Sequence, residues 1–249
     1  MLNFIGTGSA FNTRLGNNSA YRKMEDHLFL IDCGGSVFGR LVDHGVLSGV
    51  NHITVLITHL HPDHVGSLGD LIFYSLFKIP PLYQLKTTVL IPTPLEKDLE
   101  MILDLMGVTK DLYTLTEMTG SYETNVCGIA SISPHPVGHI DRLSAYGYIL
   151  QIGKKKLYYS GDSNEIPDII LEKLLSGDLN YLYQDTCMAD YEGNPHLPLR
   201  KLGQIIPPND RNKVYCMHLD EEFAIEEAKS LGFHCVFANF NSNDAGRNV

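Results

Sequence analysis

The 249-residue chain is short of positive charge: 19 Lys and Arg stand against 29 Asp and Glu, a formal net charge of −10. A surface of that sign repels a phosphate backbone, so binding of a long nucleic acid is not expected without a local basic patch. Paired cysteines are missing too. The five present, Cys33, Cys127, Cys187, Cys216 and Cys235, are odd in number, widely spaced and without a CxxC pair. This argues against a cysteine zinc site and fits free thiols in a reducing cytoplasm. No apolar run approaches the roughly 20 residues of a membrane helix. The start, Met1-Leu2-Asn3-Phe4-Ile5, reads as a short strand and lacks the basic start and long apolar stretch of a secretory leader. Linkers rich in Pro, Ser or Gly and internal repeats are also lacking. A single domain over residues 1–249, in the cytoplasm, is the expectation.

What the chain does have is an alternation of short β-rich runs with helical ones. Leu2–Ile5 and Leu28–Ile31 read as strands, Val37–Leu47 as helical. Ile53–Thr58 (ITVLIT) is a β-branched apolar strand of the kind covered on both faces. Leu68–Phe77 predicts a helix ended by Pro80-Pro81, Thr88–Ile91 a strand, and Pro94–Met106 a helix. The second half repeats the style. Ile129–Val137, Tyr146–Ile152 and Lys156–Ser160 are predicted strands, the last two a hairpin through Gly153-Lys154-Lys155. Pro167–Leu175 reads as a helix, and Tyr181–Gln184, Lys213–Met217 and Val236–Ala238 as strands. Asp220 is placed as the N-cap of a helix with Glu221 and Glu222 in its first turn. An α/β sandwich of two sheets with outer helices would bury such strands.

The chemistry concentrates in His59-Leu60-His61-Pro62-Asp63-His64, directly after the apolar strand. With a period of two, His59 and His61 point the same way and can share a metal; the following turn can aim Asp63 and His64 at a neighbouring position. Imidazole and carboxylate ligands suit Zn²⁺, with Mn²⁺ or Fe as alternatives. A polar loop with incidental histidines is the competing reading. Downstream residues weaken it. His139, Asp162 and His218 each follow a predicted strand, where sites on layered folds gather.

HLHPDH with a later GH, GDS and H resembles the HxHxDH pattern of the metallo-β-lactamase superfamily, over residues 1–239. The resemblance implies a four-layer αβ/βα sandwich with two Zn²⁺ at one edge. It implies His59, His61 and His139 on one metal, Asp63, His64 and His218 on the second, and Asp162 between them. Asp63 would also orient the attacking hydroxide. Asp32, after the strand ending at Ile31, reads either as a carboxylate holding a ligand imidazole or as a plain turn aspartate.

Glyoxalase-type and lactonase-type members share this motif. Three features resemble instead the tRNase Z-like branch, the tRNA 3′-processing ribonucleases and their phosphodiesterase relatives. These are the opening Gly6-Thr7-Gly8-Ser9, the extended Thr58-His59-Leu60-His61-Pro62-Asp63-His64-Val65-Gly66-Ser67-Leu68, and His196, 22 residues before His218. By that likeness His196 would touch the scissile phosphate or protonate the leaving 3′-oxygen. The branch's usual His-Ser/Thr-Thr is absent around His196, a departure from the pattern. The long Gly/Pro-rich basic arm that grips tRNA is absent as well. Armless proteins of this kind resemble the phage and bacterial anti-Pycsar phosphodiesterases. That likeness implies hydrolysis of 3′,5′-cyclic nucleotides to 5′-monophosphates, evasion of cyclic-nucleotide defence signals, and a homodimer. A tRNA endonuclease and a nucleotide-binding sponge without turnover are the alternatives.

Several segments keep plainer readings beside functional ones. Gly16-Asn17-Asn18-Ser19 is read as a turn joining two strands, with presentation of amides to substrate as the alternative. Tyr113, Tyr122, Tyr181, Tyr183 and Tyr191 are read as packing residues, with base stacking as the alternative. The apolar Leu71–Leu82 stretch is either core or a dimer face.

Overall fold

A computed structural model describes residues 1–82 and 84–238; residues 239–249, the end of the single domain expected from the sequence, lie outside the described residues. Among the described residues the chain forms two sheets. The first has the strands in chain order: β1 (Asn3–Gly6), β2 (Ser19–Met24), β3 (His27–Ile31), β4 (His52–Leu56), β5 (Thr88–Pro92) and β6 (Thr114–Met118). The second begins at one edge with β7 (Tyr122–Glu123) and runs through β8 (Ile129–Ile140), β9 (Leu143–Ile152), β10 (Lys155–Tyr159), β11 (Tyr181–Asp185), β12 (Val214–Met217) and β13 (His234–Cys235). In the first sheet β1 to β3 pair antiparallel, and in the second β7 to β10 do. Each becomes parallel where helices or long loops intervene: β3 to β6 in the first, β10 to β13 in the second.

Three apolar clusters define four layers. The outer face of the first sheet packs Leu28, Leu30, Val55 and Val89 against α1 (Val37–Asp43), α3 (Leu68–Phe77) and α4 (Glu96–Leu105) through Leu41, Ile72 and Leu99. Between the sheets lie Phe29, Ile31, Leu56, Tyr148, Leu150 and Tyr159. The outer face of the second sheet packs Leu182, Val214 and Cys216 against α5 (Asp168–Ser176), α6 (Leu199–Ile205) and α7 (Ile225–Ser230). Strands β3 and β4 therefore bury both faces, which is why they read as continuous apolar runs.

The structure departs from the sequence reading at several points. Asp220 caps no helix: α7 starts at Ile225 after Ala224, and the Asp220 carboxylate accepts from the backbone N–H of Met188 and Ala189. The helix expected from Pro94 opens as a 3-10 turn over Thr93–Leu95 before α4. The last predicted strand shifts back to His234–Cys235, and Ala238 makes only an isolated bridge with Phe4. Strands β2 and β6 and helix α6, which the sequence pattern did not mark, complete the layers. In the Leu71–Leu82 stretch, Leu71, Ile72 and Leu76 are core, while Phe77 and Leu82 are exposed. Tyr113 and Tyr183 are buried packing residues, Tyr122 and Tyr181 are half-buried against the core, and Tyr191 is exposed.

Candidate metal centre

Strand β4 ends at Leu56, and the chain runs through Ile57 and Thr58 into the histidine motif. Pro62 then opens the one-turn helix α2 (Pro62–Val65), where its missing N–H costs nothing. This turn docks on the loop after β3: Cys33 N–H donates to the His64 carbonyl (2.7 Å) and Gly35 N–H to that of Pro62 (3.1 Å). The approach is so close that a Cβ on Gly34 would lie 1.8 Å from the Asp63 carbonyl oxygen. Only glycine fits there.

The second sheet supplies the other side. His139 lies inside β8 and not after it, as the sequence pattern had suggested; the pairing with β9 slips between Val137 and Ile140, and such a bulge re-aims a side chain. Asp162 follows Gly161, whose φ of +61° turns the chain sharply after β10. His218 follows β12 with φ +57°, a strained value for a non-glycine residue. Its N–H is held at 3.3 Å by the side-chain oxygen of Asn18, whose amide nitrogen donates to the Tyr159 hydroxyl at 2.8 Å. The turn Gly16–Ser19 thus does more than join two strands.

All seven residues singled out as ligands converge, as two groups sharing Asp162. In the first, His59 Nε2 and His139 Nε2 lie 3.0 and 3.2 Å from His61 Nδ1, with Asp162 Oδ2 at 3.8 and 3.9 Å from the outer two. In the second, His64 Nε2 lies 3.4 Å from Asp63 Oδ2 and 3.2 Å from Asp162 Oδ1, and His218 Nε2 lies 3.3 and 3.5 Å from the same two oxygens. A tetrahedral zinc with ligands at about 2.0–2.1 Å has ligand–ligand edges of about 3.4 Å. Both groups have that size.

The donor chemistry also fits a cation. Convergent ring nitrogens cannot all satisfy one another. His64 Nε2 and Asp162 Oδ1 are buried without a hydrogen-bond partner, a costly state unless something positive sits between them. Burial, with His64 nearby, pulls His59 well below the ordinary imidazole value, and burial and His139 lower His61. Both are thereby neutral, with lone pairs to give. Burial opposes charge on His64 too, yet Asp162 and Asp32 outweigh it and raise that ring well above its ordinary value. Burial would raise Asp162, but His218, His64 and His59 hold its carboxyl well below the usual range. The second group therefore attracts positive charge.

Outer contacts fix the rings. Asp32, fully buried, accepts from His64 Nδ1 at 2.8 Å and is itself held by Thr58 N–H and Oγ1 at 2.8 and 2.7 Å. Of its two sequence readings, the structure gives the carboxylate that holds an imidazole of the cluster. His59 Nδ1 reaches Thr58 Oγ1 at 3.1 Å, and His139 Nδ1 the Pro195 carbonyl at 3.1 Å. These contacts assign the tautomers that leave the converging nitrogens free to accept a cation.

His196 reaches the same place. Its Nδ1 lies 2.7 Å from Asp185 Oδ2, and its ring centroid lies 5.0 Å from that of His218. Burial opposes its protonation, and Asp185 overcomes that to raise its pKa. Asp185, with Oδ1 3.3 Å from His218 Nδ1, was missed in the sequence. The available signal was its place at the end of β11, the same strand-end position that marks Asp162 and His218. His61, Asp63, His139, Asp162, His196 and His218 line a cavity of about 490 Å³. None of the residues lining it is Lys or Arg.

The sequence model of the Anti-Pycsar protein Apyc1 family matches residues 1–239. The chain belongs to this family. Among curated relatives, the Apyc1 protein of Bacillus phage BSP38 is 29% identical over 236 residues, covering 87% of this chain and 88% of its own. That of Paenibacillus harenae is 27% identical over 224 residues, with the same coverage. Among solved structures, the metallo-β-lactamase fold protein YhfI from Bacillus subtilis superposes with a TM-score of 0.73 at 15% identity, covering 96% of both chains. Human tRNase Z, short form, gives 0.66 at 15%, covering 96% of this chain and 97% of that one. Zn²⁺-bound PqqB from Methylobacterium extorquens gives 0.71 at 12%, covering 95% and 97%. The fold of this Apyc1 family member is the metallo-β-lactamase sandwich expected from the HLHPDH pattern. No helix among its described residues is long and apolar enough to cross a membrane.

Proposed function

We propose that the chain is a dinuclear zinc phosphodiesterase that hydrolyses 3′,5′-cyclic nucleotides to 5′-monophosphates. The reading is carried by one observation: two four-residue groups share Asp162, and His61, Asp63, His139, Asp162 and His218 of them line a cavity of about 490 Å³. That volume suits a small ligand, for which sites run about 300–1,000 Å³. The name of the matching family supports the substrate class, and activity as a homodimer in the cytoplasm completes the proposal. Mn²⁺ is the alternative metal. Walls without Lys or Arg, and a net charge of −10, count against tRNA as substrate.

His59, His61, His139 and Asp162 would hold one cation, and Asp63, His64, His218 and Asp162 the other. When bound, the pair supplies a Lewis acid for the phosphoryl oxygens and an acidified water as nucleophile. Everything else falls to the chain. Asp63, next to Pro62 in the one-turn helix α2, would orient the attacking water's proton. His196, with Nδ1 committed to Asp185, presents its other nitrogen to the cavity, where it binds the phosphoryl group or protonates the leaving 3′-oxygen.

Incubation of the purified protein and Zn²⁺ or Mn²⁺ with a panel of 3′,5′-cyclic nucleotides and a pre-tRNA tests this. Release of 5′-monophosphates is expected. Trimmed tRNA beside intact cyclic nucleotides would replace the proposal with the endonuclease; tight binding without product would replace it with the sponge. Asp63→Ala and His64→Ala should each remove turnover while circular dichroism stays unchanged.

A further inference from the structure

Two large apolar side chains sit where solvent-exposed apolar groups need a reason. Phe11 is 84% exposed and Ile140 is 41% exposed, and both line the cavity whose floor is the candidate metal centre. They come from different sheets. Phe11 is in the loop after β1, and Ile140 is the last residue of β8, directly after His139. The Phe11 loop is held firmly despite its exposure. Ser9 N–H donates to the Leu219 carbonyl at 3.0 Å, and Asn12 Nδ2 donates to the carbonyls of Leu219 and Asp220, both at 3.1 Å. Asn12 itself is buried. The loop that carries the ring is braced on Leu219, the residue after His218, so the ring is positioned with respect to the candidate metal-binding histidines and is not a loose tip.

We infer that Phe11 and Ile140 form an apolar platform that holds the nucleobase of the substrate while its phosphate lies over the histidines and aspartates. The inference rests on the phosphodiesterase reading. The chemistry divides the same way as the cavity: a cyclic nucleotide has one charged, polar end and one flat aromatic end. The floor offers His and Asp, and the rim offers Phe11 and Ile140, with no charged group among the lining residues beyond the metal-centre set and His196. Stacking on an aromatic ring needs only a π-face on the base. Phe11 would thus act on binding and leave the reacting atoms untouched.

Steady-state hydrolysis of cyclic AMP and of its base-free analogue, 1-O-methylribose 3′,5′-cyclic phosphate, by the wild type, Phe11→Ala, Phe11→Trp and Ile140→Ala decides the matter. For Phe11→Ala, KM for cyclic AMP should rise about 5- to 100-fold with kcat within about twofold, the range that loss of one base stack gives. The base-free analogue should be hydrolysed equally by both proteins, Phe11→Trp should restore the KM, and Ile140→Ala should show a smaller rise. Equal losses on the two substrates would overturn the platform and make Phe11 a structural residue of its loop. The same equal losses with a change of elution volume in size-exclusion chromatography would overturn it in favour of a contact between copies of the chain. A wild type that hydrolyses neither substrate would remove the phosphodiesterase reading, and the platform with it; a wild type that hydrolyses both while Phe11→Ala matches it would remove the platform alone.

Discussion

Residues 59–64 bring four candidate ligands to the cradle within one short stretch at the end of β4, whereas the second sheet supplies His139, Asp162 and His218 from three separate strands. The first group is built by local geometry: a strand period of two, a proline, and one helical turn. The second exists only because β8, β10 and β12 lie in one sheet, and each of its members needs a special backbone device to turn inward. His139 has a slipped register, Asp162 has Gly161 before it, and His218 adopts a positive φ. A compact motif can therefore be read from sequence alone, while its partners have meaning only once the motif is known.

Substitutions can break this comparison. The largest effect is expected at Asp162, which the second sheet supplies to both proposed metal positions. Asp162→Ala should cut turnover by at least about 10³-fold, because both Lewis-acid positions lose a ligand worth several kcal/mol in the transition state. Metal analysis should show less than two bound ions per chain; two retained ions would mean that each position holds its ion without the shared carboxylate. Next comes His196→Ala, which should lower kcat by about 10²- to 10⁴-fold, the usual range for a general acid, with metal content unchanged. A wild-type rate there would demote His196 to a rim residue.

A smaller effect is expected behind the motif. Asp32→Ala removes the acceptor for His64 Nδ1 and should weaken metal binding about 10- to 100-fold in a chelator competition. If the local half were self-sufficient, the affinity would not move. The mildest change should come from Asp185→Asn. Asp185 raises the His196 pKa, so the protonated acid persists to higher pH in the wild type and is lost as pH rises through that value. With the charge removed, the alkaline limb of the kcat profile should shift to lower pH, with the acid limb in place.

Much of the fold was legible because burial on both faces writes itself as ITVLIT-like runs. What was not legible has physical causes. Strand β6 (TLTEM) is an edge strand of mixed polarity, and its apolar signal is weak for that reason. Asp220 sits where a cap would, but a carboxylate can satisfy backbone N–H groups on a distant loop as well as those of the next helix, and Met188 and Ala189 win. Asp185 escaped notice because Gln-Asp-Thr carries no motif of its own. Its role follows from the parallel pairing of Asp185 with Met217, which sets it beside the residue that precedes His218.

Gly34 has no side chain to offer a metal or a substrate. Yet a single methyl group there would collide with the Asp63 carbonyl and push the whole motif turn off its seat. In a map of tolerated substitutions across the chain, Gly34 should therefore stand among the least variable positions.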